Sequence, residues 1–308
     1  MQKVYNAVYV CRGFPVVSWK SVFSRKLFIY LPFIKMSSQN PLSTCLTQEK
    51  MNTTFDNKDS KAAITSRKYR YWSYLDIKDS EGNPRAKVYY VFKLSEVKNA
   101  VSLLKGPYLG FDMEWKPYGS SKVAIIQLSD ANSIVLFHLS LMGLEGTFPE
   151  ALKHLLEDPS YIKCGVGVRN DGYKLFKDYG IIGSGFLELS QLAIAVDSNK
   201  WDSNTRLIGL TKLAEQYLGK PLFKGNVRFS NWDEELIFKQ MHYAATDCFA
   251  GLMIFEKLNY LRETSTNPLR IPEPIDMHLD PSVIDDIQKK EENGILQSKV
   301  DKDYENFG

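Results

Sequence analysis

The stretch Tyr108 to Glu114 constrains this chain more than any other. It follows a Gly106-Pro107 break, runs through Tyr108, Leu109 and Phe111, and ends on two acids, Asp112 and Glu114. An apolar run of that length bounded by turn residues reads as a strand entering a sheet. Residues two apart on a strand project to the same face, so the two carboxylates stand side by side at its end. Neighbouring carboxylates repel, and burial protonates one of them unless a cation lies between. A shared divalent ion resolves that conflict, and oxygen ligands suit Mg²⁺ or Mn²⁺ rather than zinc. The plainer alternative is a pair of exposed acids at a strand end.

Two more segments carry acids in suggestive settings. Asp171 follows the apolar and glycine-rich run Ile162 to Val168 and precedes Tyr173-Lys174-Leu175-Phe176, whose spacing suits a helix. Taken alone, an aspartate there reads as an N-cap. Tyr243 and Asp247 lie in a long pattern from Glu234 to Leu258, with Leu236, Ile237, Met241, Ala244, Ala245, Cys248, Leu252 and Phe255 at three- and four-residue steps. Four residues turn a helix by about 400°, which leaves the tyrosine and the aspartate about 40° apart on one face. Both can then address the same water. As an isolated pair they read equally as a core aromatic beside a solvated acid.

The ordered set is more specific than its parts. Phe111 to Trp115, Val123 to Leu128, Gly165 to Val168, Asp171 with Lys174-Leu175, Ser230-Asn231-Trp232 and Tyr243 to Asp247 resemble, in order, the blocks of the DEDD superfamily of 3′-5′ exonucleases. The resemblance runs from Val88 to Leu261 and is greatest to the Werner-syndrome-type exonuclease domain. It implies an α/β ribonuclease-H-like (DnaQ-like) fold. His242 stands five before Asp247 and Tyr243 four before, matching the histidine and tyrosine subclasses respectively. On a continuous helix the histidine sits about 140° from the aspartate, so the tyrosine subclass is expected.

The resemblance implies two-metal hydrolysis of a terminal phosphodiester with release of a nucleoside 5′-monophosphate. Asp112 is expected to bridge two Mg²⁺ or Mn²⁺ ions, Glu114 and Asp247 to hold one, Asp171 the other, and Tyr243 to orient water. Lys174, Lys212, Lys220, Lys224 and Arg228 are candidates for backbone phosphates, with plain solvated lysines as the alternative. Met113 and Trp115 flank the first acids and are candidates for stacking on terminal bases. Met113 points away from the acids on an ideal strand, which favours core packing. The Arg67 to Trp72 run alternates cations with aromatics, and reads as a further substrate contact or as an edge strand.

Around this core, residues 1–35 read as a basic leader, 36–66 as a polar linker, 67–262 as the exonuclease domain and 263–308 as an acidic, mostly disordered tail, with a short helix expected at Ile284 to Lys290. The domain's strands are expected at Val88–Phe92, Tyr108–Glu114, Val123–Ser129, Ser133–His138 and Ile162–Val166. Helices are expected at Glu96–Leu104, Pro149–Glu157, Gly172–Tyr179, Gln191–Ala195, Leu210–Leu218 and Glu234–Leu258. Early strands followed by helices fit a mixed sheet flanked by helices.

The first 48 residues hold Lys3, Arg12, Lys20, Arg25, Lys26 and Lys35 and no acid. Such a leader resembles a mitochondrial transit peptide, with a basic nucleic-acid-binding arm as the alternative. Initiation at Met36 would remove it and leave a non-mitochondrial, nuclear form. Its longest apolar run, Leu27 to Ile34, is far shorter than the roughly 20 residues a membrane span needs. The net charge is +3. Without those six cations the rest is slightly acidic, so nucleic-acid affinity must come from a local patch. Cys11, Cys45, Cys164 and Cys248 form no metal-binding spacing and read as reduced thiols.

A phosphate loop of the GxxxxGK[ST] form is missing, which leaves a helicase partner to act in trans. Little follows Leu261 that could form the helical domain ribonuclease-D-like relatives append. Both observations favour a DNA exonuclease in genome maintenance over an RNA exonuclease. An inactive nucleic-acid-binding module is the third reading, and the intact acid set speaks against it.

Overall fold

The computed structural model describes residues 71–202, 204, 206–265 and 270–292. The leader, Met36, the linker and Arg67 to Arg70 lie outside the described residues, as does the chain beyond 292. Six strands, β1 (Lys87–Val91), β2 (Tyr108–Glu114), β3 (Ile125–Ser129), β4 (Ser133–His138), β5 (Ile162–Gly165) and β6 (Phe186–Glu188), form one sheet in the order β1-β4-β3-β2-β5-β6. β1 pairs parallel with β4, β2 with β5 and β5 with β6, whereas β3 is antiparallel to β2 and β4. Five strands therefore point one way. The carboxyl ends of β2, β4, β5 and β6 share an edge, where ligands of such sheets gather.

Period-two alternation sorts the side chains of β2 and β3 onto two faces. Leu109, Phe111, Met113, Ile126 and Leu128 enter an apolar layer with α1 (Val97–Val101), α2 (Glu150–Glu157) and α3 (Val168–Tyr179). The opposite layer is filled from α4 (Leu189–Val196), α5 (Leu210–Leu218) and α6 (Phe238–Thr264). At 27 residues, α6 is about 40 Å long. Its buried side chains include the run Ala244 to Phe255 apart from Asp247. A helix apolar on nearly all sides belongs in an interior. It lies against β2 at Gly110, where a Cβ would run into the Cys248 carbonyl and lie 2.5 Å from Ser129 Oγ. Glycine is what allows β2 and α6 to approach so closely.

Several boundaries differ from expectation for identifiable reasons. α6 begins at Phe238 rather than Glu234, because the preceding turn is committed elsewhere: Leu236 N–H donates to Tyr90 Oη at 3.2 Å and Ile237 N–H to Gln240 Oε1 at 3.1 Å. α3 begins at Val168 rather than Gly172, after Gly167 turns the chain at φ +81°. β6 was not expected; three residues are too few to show a period, and pairing with β5 is what makes them a strand.

The segment after residue 262 is corrected most. Rather than mostly disordered, residues 270–292 dock on the domain. Ile275 exchanges two backbone hydrogen bonds with Phe186 at 2.7 and 3.0 Å, pairing the free edge of β6. Met277 and Val283 are fully buried, Arg169 Nε meets Asp280 Oδ2 at 2.6 Å, and α7 (Pro281–Glu292) exceeds the short helix expected there. Cys164 and Cys248 are free and buried. Among the described residues no helix is long and apolar enough to cross a membrane.

Candidate active site

The carboxyl edge of the sheet assembles side chains from three distant parts of the chain. Asp112 and Glu114 end β2 on the face turned toward α6, and Asp112 Oδ1 accepts the Met113 N–H at 3.0 Å. Asp171 sits within the first turn of α3. It is not the N-cap expected from its isolated reading, a position Gly167 takes; the Asp171 N–H donates to Gly167 O at 3.3 Å. Tyr243 and Asp247 stand one turn apart on α6, with the tyrosine hydroxyl donating to the carboxylate. All five side chains are half-buried.

Their electrostatics place them in one cluster. Burial raises the Glu114 pKa well above the usual carboxylate value, and the charges of Asp112, Asp247 and Asp171 raise it further. Asp171 is raised by burial, then by Asp112 and Glu188. Asp247 is raised by burial and by Asp112, while the Tyr243 hydroxyl and Lys224 draw it back down. Asp112 is raised by burial against the opposing pull of the Met113 N–H. Among the described residues no three acidic, histidine or cysteine side chains stand, as placed, close enough together to hold a metal ion. Four mutually repelling carboxylates offer oxygen donors alone, a set that fits hard divalent cations and supplies the negative charge such ions need.

The candidate substrate contacts divide. Met113 is 4% exposed inside the apolar layer, so it packs the core and is not available to wedge a base. Lys174 donates to Ser121 O at 2.9 Å, pairs with Asp178 at 2.9 Å and lies 5.0 Å from the centre of the half-buried Trp115 ring. It braces the loop after Glu114 instead of standing free for phosphate. Lys220 pairs with Asp76 at 3.2 Å, and Lys212 lies 5.2 Å over the Trp201 ring. Lys224 and Arg228 are exposed; Lys224 is close enough for Asp247 to feel its charge, and Arg228 lies 4.3 Å over Phe229, itself 48% exposed. Tyr71 meets Phe223 edge-on and Trp72 is buried, so the end of the cation-aromatic run is packing. His242 points elsewhere: its Nε2 lies 3.0 Å from Ser73 Oγ, its ring packs on Tyr74 and Phe238, and burial lowers its pKa.

Three polar residues near the site escaped sequence reasoning. Glu188, 7% exposed at the end of β6, accepts from Gly167 N–H at 2.7 Å and Ser190 N–H at 3.3 Å. An acid ahead of an apolar helical run is the signal that could have marked it as a cap. Gln127 pairs across the ladder with Asp112, is fully buried, and its Oε1 and Nε2 find no partner. A lone amide within Ile125-Ile126-Gln127-Leu128 was its signal. His138, fully buried at the end of β4, accepts from the Tyr90 hydroxyl at Nδ1 and donates from Nε2 to Trp232 O at 3.0 Å. Trp232 is fully buried with its ring 6.2 Å from that of Tyr243, so this chain of bonds supports the tyrosine from behind.

Comparison with known proteins agrees with this arrangement. A profile of the 3′-5′ exonuclease family matches residues 88–261. The chain is 41% identical over 173 residues to the mouse bifunctional 3′-5′ exonuclease/ATP-dependent helicase WRN, covering 54% of this chain and 12% of that protein. It is 34% identical over 162 residues to a 3′-5′ exonuclease of Arabidopsis thaliana, covering 50% of this chain and 53% of that one. The match thus spans about half of one relative and a small part of the other. The Aedes aegypti Nibbler EXO domain superposes with a TM-score of 0.52 at 24% identity over 62% of this chain and 94% of its own, which supports the ribonuclease-H-like fold. With the carboxylates of the DEDD pattern gathered at the carboxyl edge of that fold, the chain belongs to the 3′-5′ exonuclease family.

Proposed function

We propose that this protein is a metal-dependent 3′-5′ exonuclease that removes nucleoside 5′-monophosphates from DNA. The observation that carries the reading is the convergence of Asp112, Glu114, Asp171 and Asp247 with Tyr243 at one edge of the sheet, where the charge of Asp112 raises the proton affinity of the other three acids. Asp112, Glu114 and Asp247 would hold one divalent ion, and Asp112 with Asp171 a second. Such ions, when bound, lower the pKa of a water and neutralise charge on the attacking and leaving oxygens. Tyr243 orients the attacking water through its hydroxyl, which Asp247 fixes and Trp232 backs. Lys224, beside Asp247, and Arg228 meet the phosphates upstream of the scissile bond, and Trp115, braced by Lys174, borders the terminal nucleotide.

DNA is preferred on the Werner-type pattern of the motifs. The same five residues serve both sugars in this superfamily, and what distinguishes them is contact at the 2′ position. The basic leader supports a role in mitochondrial genome maintenance, with strand opening supplied by a helicase in trans; a form beginning at Met36 would act in the nucleus.

The test uses purified protein with Mg²⁺ or Mn²⁺ on 5′-labelled single-stranded DNA, recessed duplex DNA and single-stranded RNA, beside an Asp112→Ala control that melts normally. Ladders shortening from the 3′ end on DNA, with mononucleotide products, are expected. Faster shortening of RNA overturns the DNA assignment. No metal-dependent shortening of any substrate overturns the enzymatic reading.

A further inference from the structure

Glu188 ends β6 directly opposite Gly165, the last residue of β5. Two residues past Gly165 the chain turns at Gly167, enters α3 and reaches Asp171 in the first turn. From within, the Asn170 and Asp171 N–H groups close this turn by donating to Gly167 O at 2.9 and 3.3 Å. Gly167 has no side chain to restrain φ +81°, and at Gly165 a Cβ would lie 2.6 Å from Phe111 O, so bulk cannot be added there. What ties the turn to β6 is the Glu188 carboxylate, which accepts from Gly167 N–H at 2.7 Å and from the backbone of Val168. Its other oxygen accepts from Ser190 N–H at 3.3 Å, at the start of α4. One buried anion thus joins the amino ends of two helices, whose dipoles favour negative charge there. It has no ion-pair partner among the described residues. Its remaining electrostatic influence falls on Asp171.

We infer that Glu188 is a positioning residue for Asp171: by pinning the Gly167 turn it aims the Asp171 carboxylate at Asp112, and its charge deepens the negative potential where Asp171 would hold an ion. The inference rests on the metal-dependent reading of the site. Glu188 touches neither substrate nor the reacting atoms; it acts through the turn. Partners behind a metal ligand set that ligand's direction, and losing one typically weakens metal affinity or activity about 10–100-fold.

The experiment is a Mn²⁺ titration followed by electron paramagnetic resonance, with thermal melts, on wild type, Glu188→Gln, Glu188→Asp, Asp171→Asn and the Glu188→Gln/Asp171→Asn double variant. Wild type is expected to bind two ions. Glu188→Gln keeps size but loses the charge and places an amide N–H against a backbone donor. It should weaken one ion about tenfold or more, the same ion lost in Asp171→Asn, and lower kcat while KM for an oligonucleotide stays unchanged. Glu188→Asp should recover part of the affinity. The double variant should bind no worse than Asp171→Asn alone, because both substitutions act through one ligand. Wild-type Mn²⁺ binding in Glu188→Gln, or a loss that adds in full to that of Asp171→Asn, overturns the inference and leaves the exonuclease reading standing. A failure of Glu188→Gln to fold shifts the decision to Glu188→Asp, where unchanged affinity for both ions is the overturning result. A wild-type protein that binds no Mn²⁺ overturns both.

Discussion

His138 gives the site a measurable dependence on pH. Its imidazole is fully buried, and burial lowers its pKa from 6.5 to about 4 against the opposing bond to Trp232 O. The neutral ring accepts from Tyr90 at Nδ1 and donates at Nε2, a combination the protonated ring cannot keep. Between pH 6.5 and 4 the unfolded chain therefore binds a proton at this position that the folded chain refuses. Stability from this group is complete above pH 6.5 and is lost as pH falls through that window; the loss amounts to about 3 kcal/mol by pH 4. The buried acids work in the opposite direction, since carboxylates with raised pKa favour the folded state as pH falls. A difference experiment separates the two. Urea unfolding of wild type and His138→Gln should be measured at pH 7, 5.5 and 4.5, because glutamine offers one acceptor and one donor without a titration in this range. The gap between the two proteins should shrink or reverse by about 2 kcal/mol or more on acidification. Parallel pH profiles would show that the imidazole is not held neutral, and the argument that this bond chain props Trp232 against Tyr243 would fail with it.

Tyr243→Phe should lower kcat by about 10²-fold or more, the scale of a lost proton-handling group, whereas His242→Ala should stay near wild-type activity and lose about 1 kcal/mol of stability with its Ser73 bond. The reverse outcome in a single-turnover assay refutes the tyrosine assignment. Gln127→Met should raise the unfolding free energy by about 1–3 kcal/mol, since it removes a buried amide with both ends unpaired; a lower melting temperature would mean that the amide is satisfied. Met277→Ala should cost about 2–5 kcal/mol in denaturant unfolding, as for other fully buried large-to-small changes. Unchanged stability would refute the docking of residues 270–292 on β6 and α3.

The sequence alone determined the elements whose signal is local. Tyr108 to Glu114 and Leu210 to Leu218 match their observed bounds, because alternation, a Gly-Pro break and a terminal glycine act within a few residues. The side-by-side placement of Asp112 with Glu114 and of Tyr243 with Asp247 was legible for the same reason: two residues on a strand and four on a helix fix relative direction without knowledge of the rest. The tertiary structure decided what depends on contacts between distant segments. Lys174 was claimed by Ser121 O, a partner fifty-three residues away along the chain that its own neighbours do not reveal. β6 exists because β5 and Ile275 pair with it, and residues 270–292 are ordered because Met277 finds space beside Gly172. Glu188 reached Gly167 from twenty-one residues away along the chain. Local propensity sets which residues form a turn, a strand or a helix, but a buried carboxylate or amide takes its role from whichever donors the packed layers bring to it, and that is settled only when the sheet and helices close.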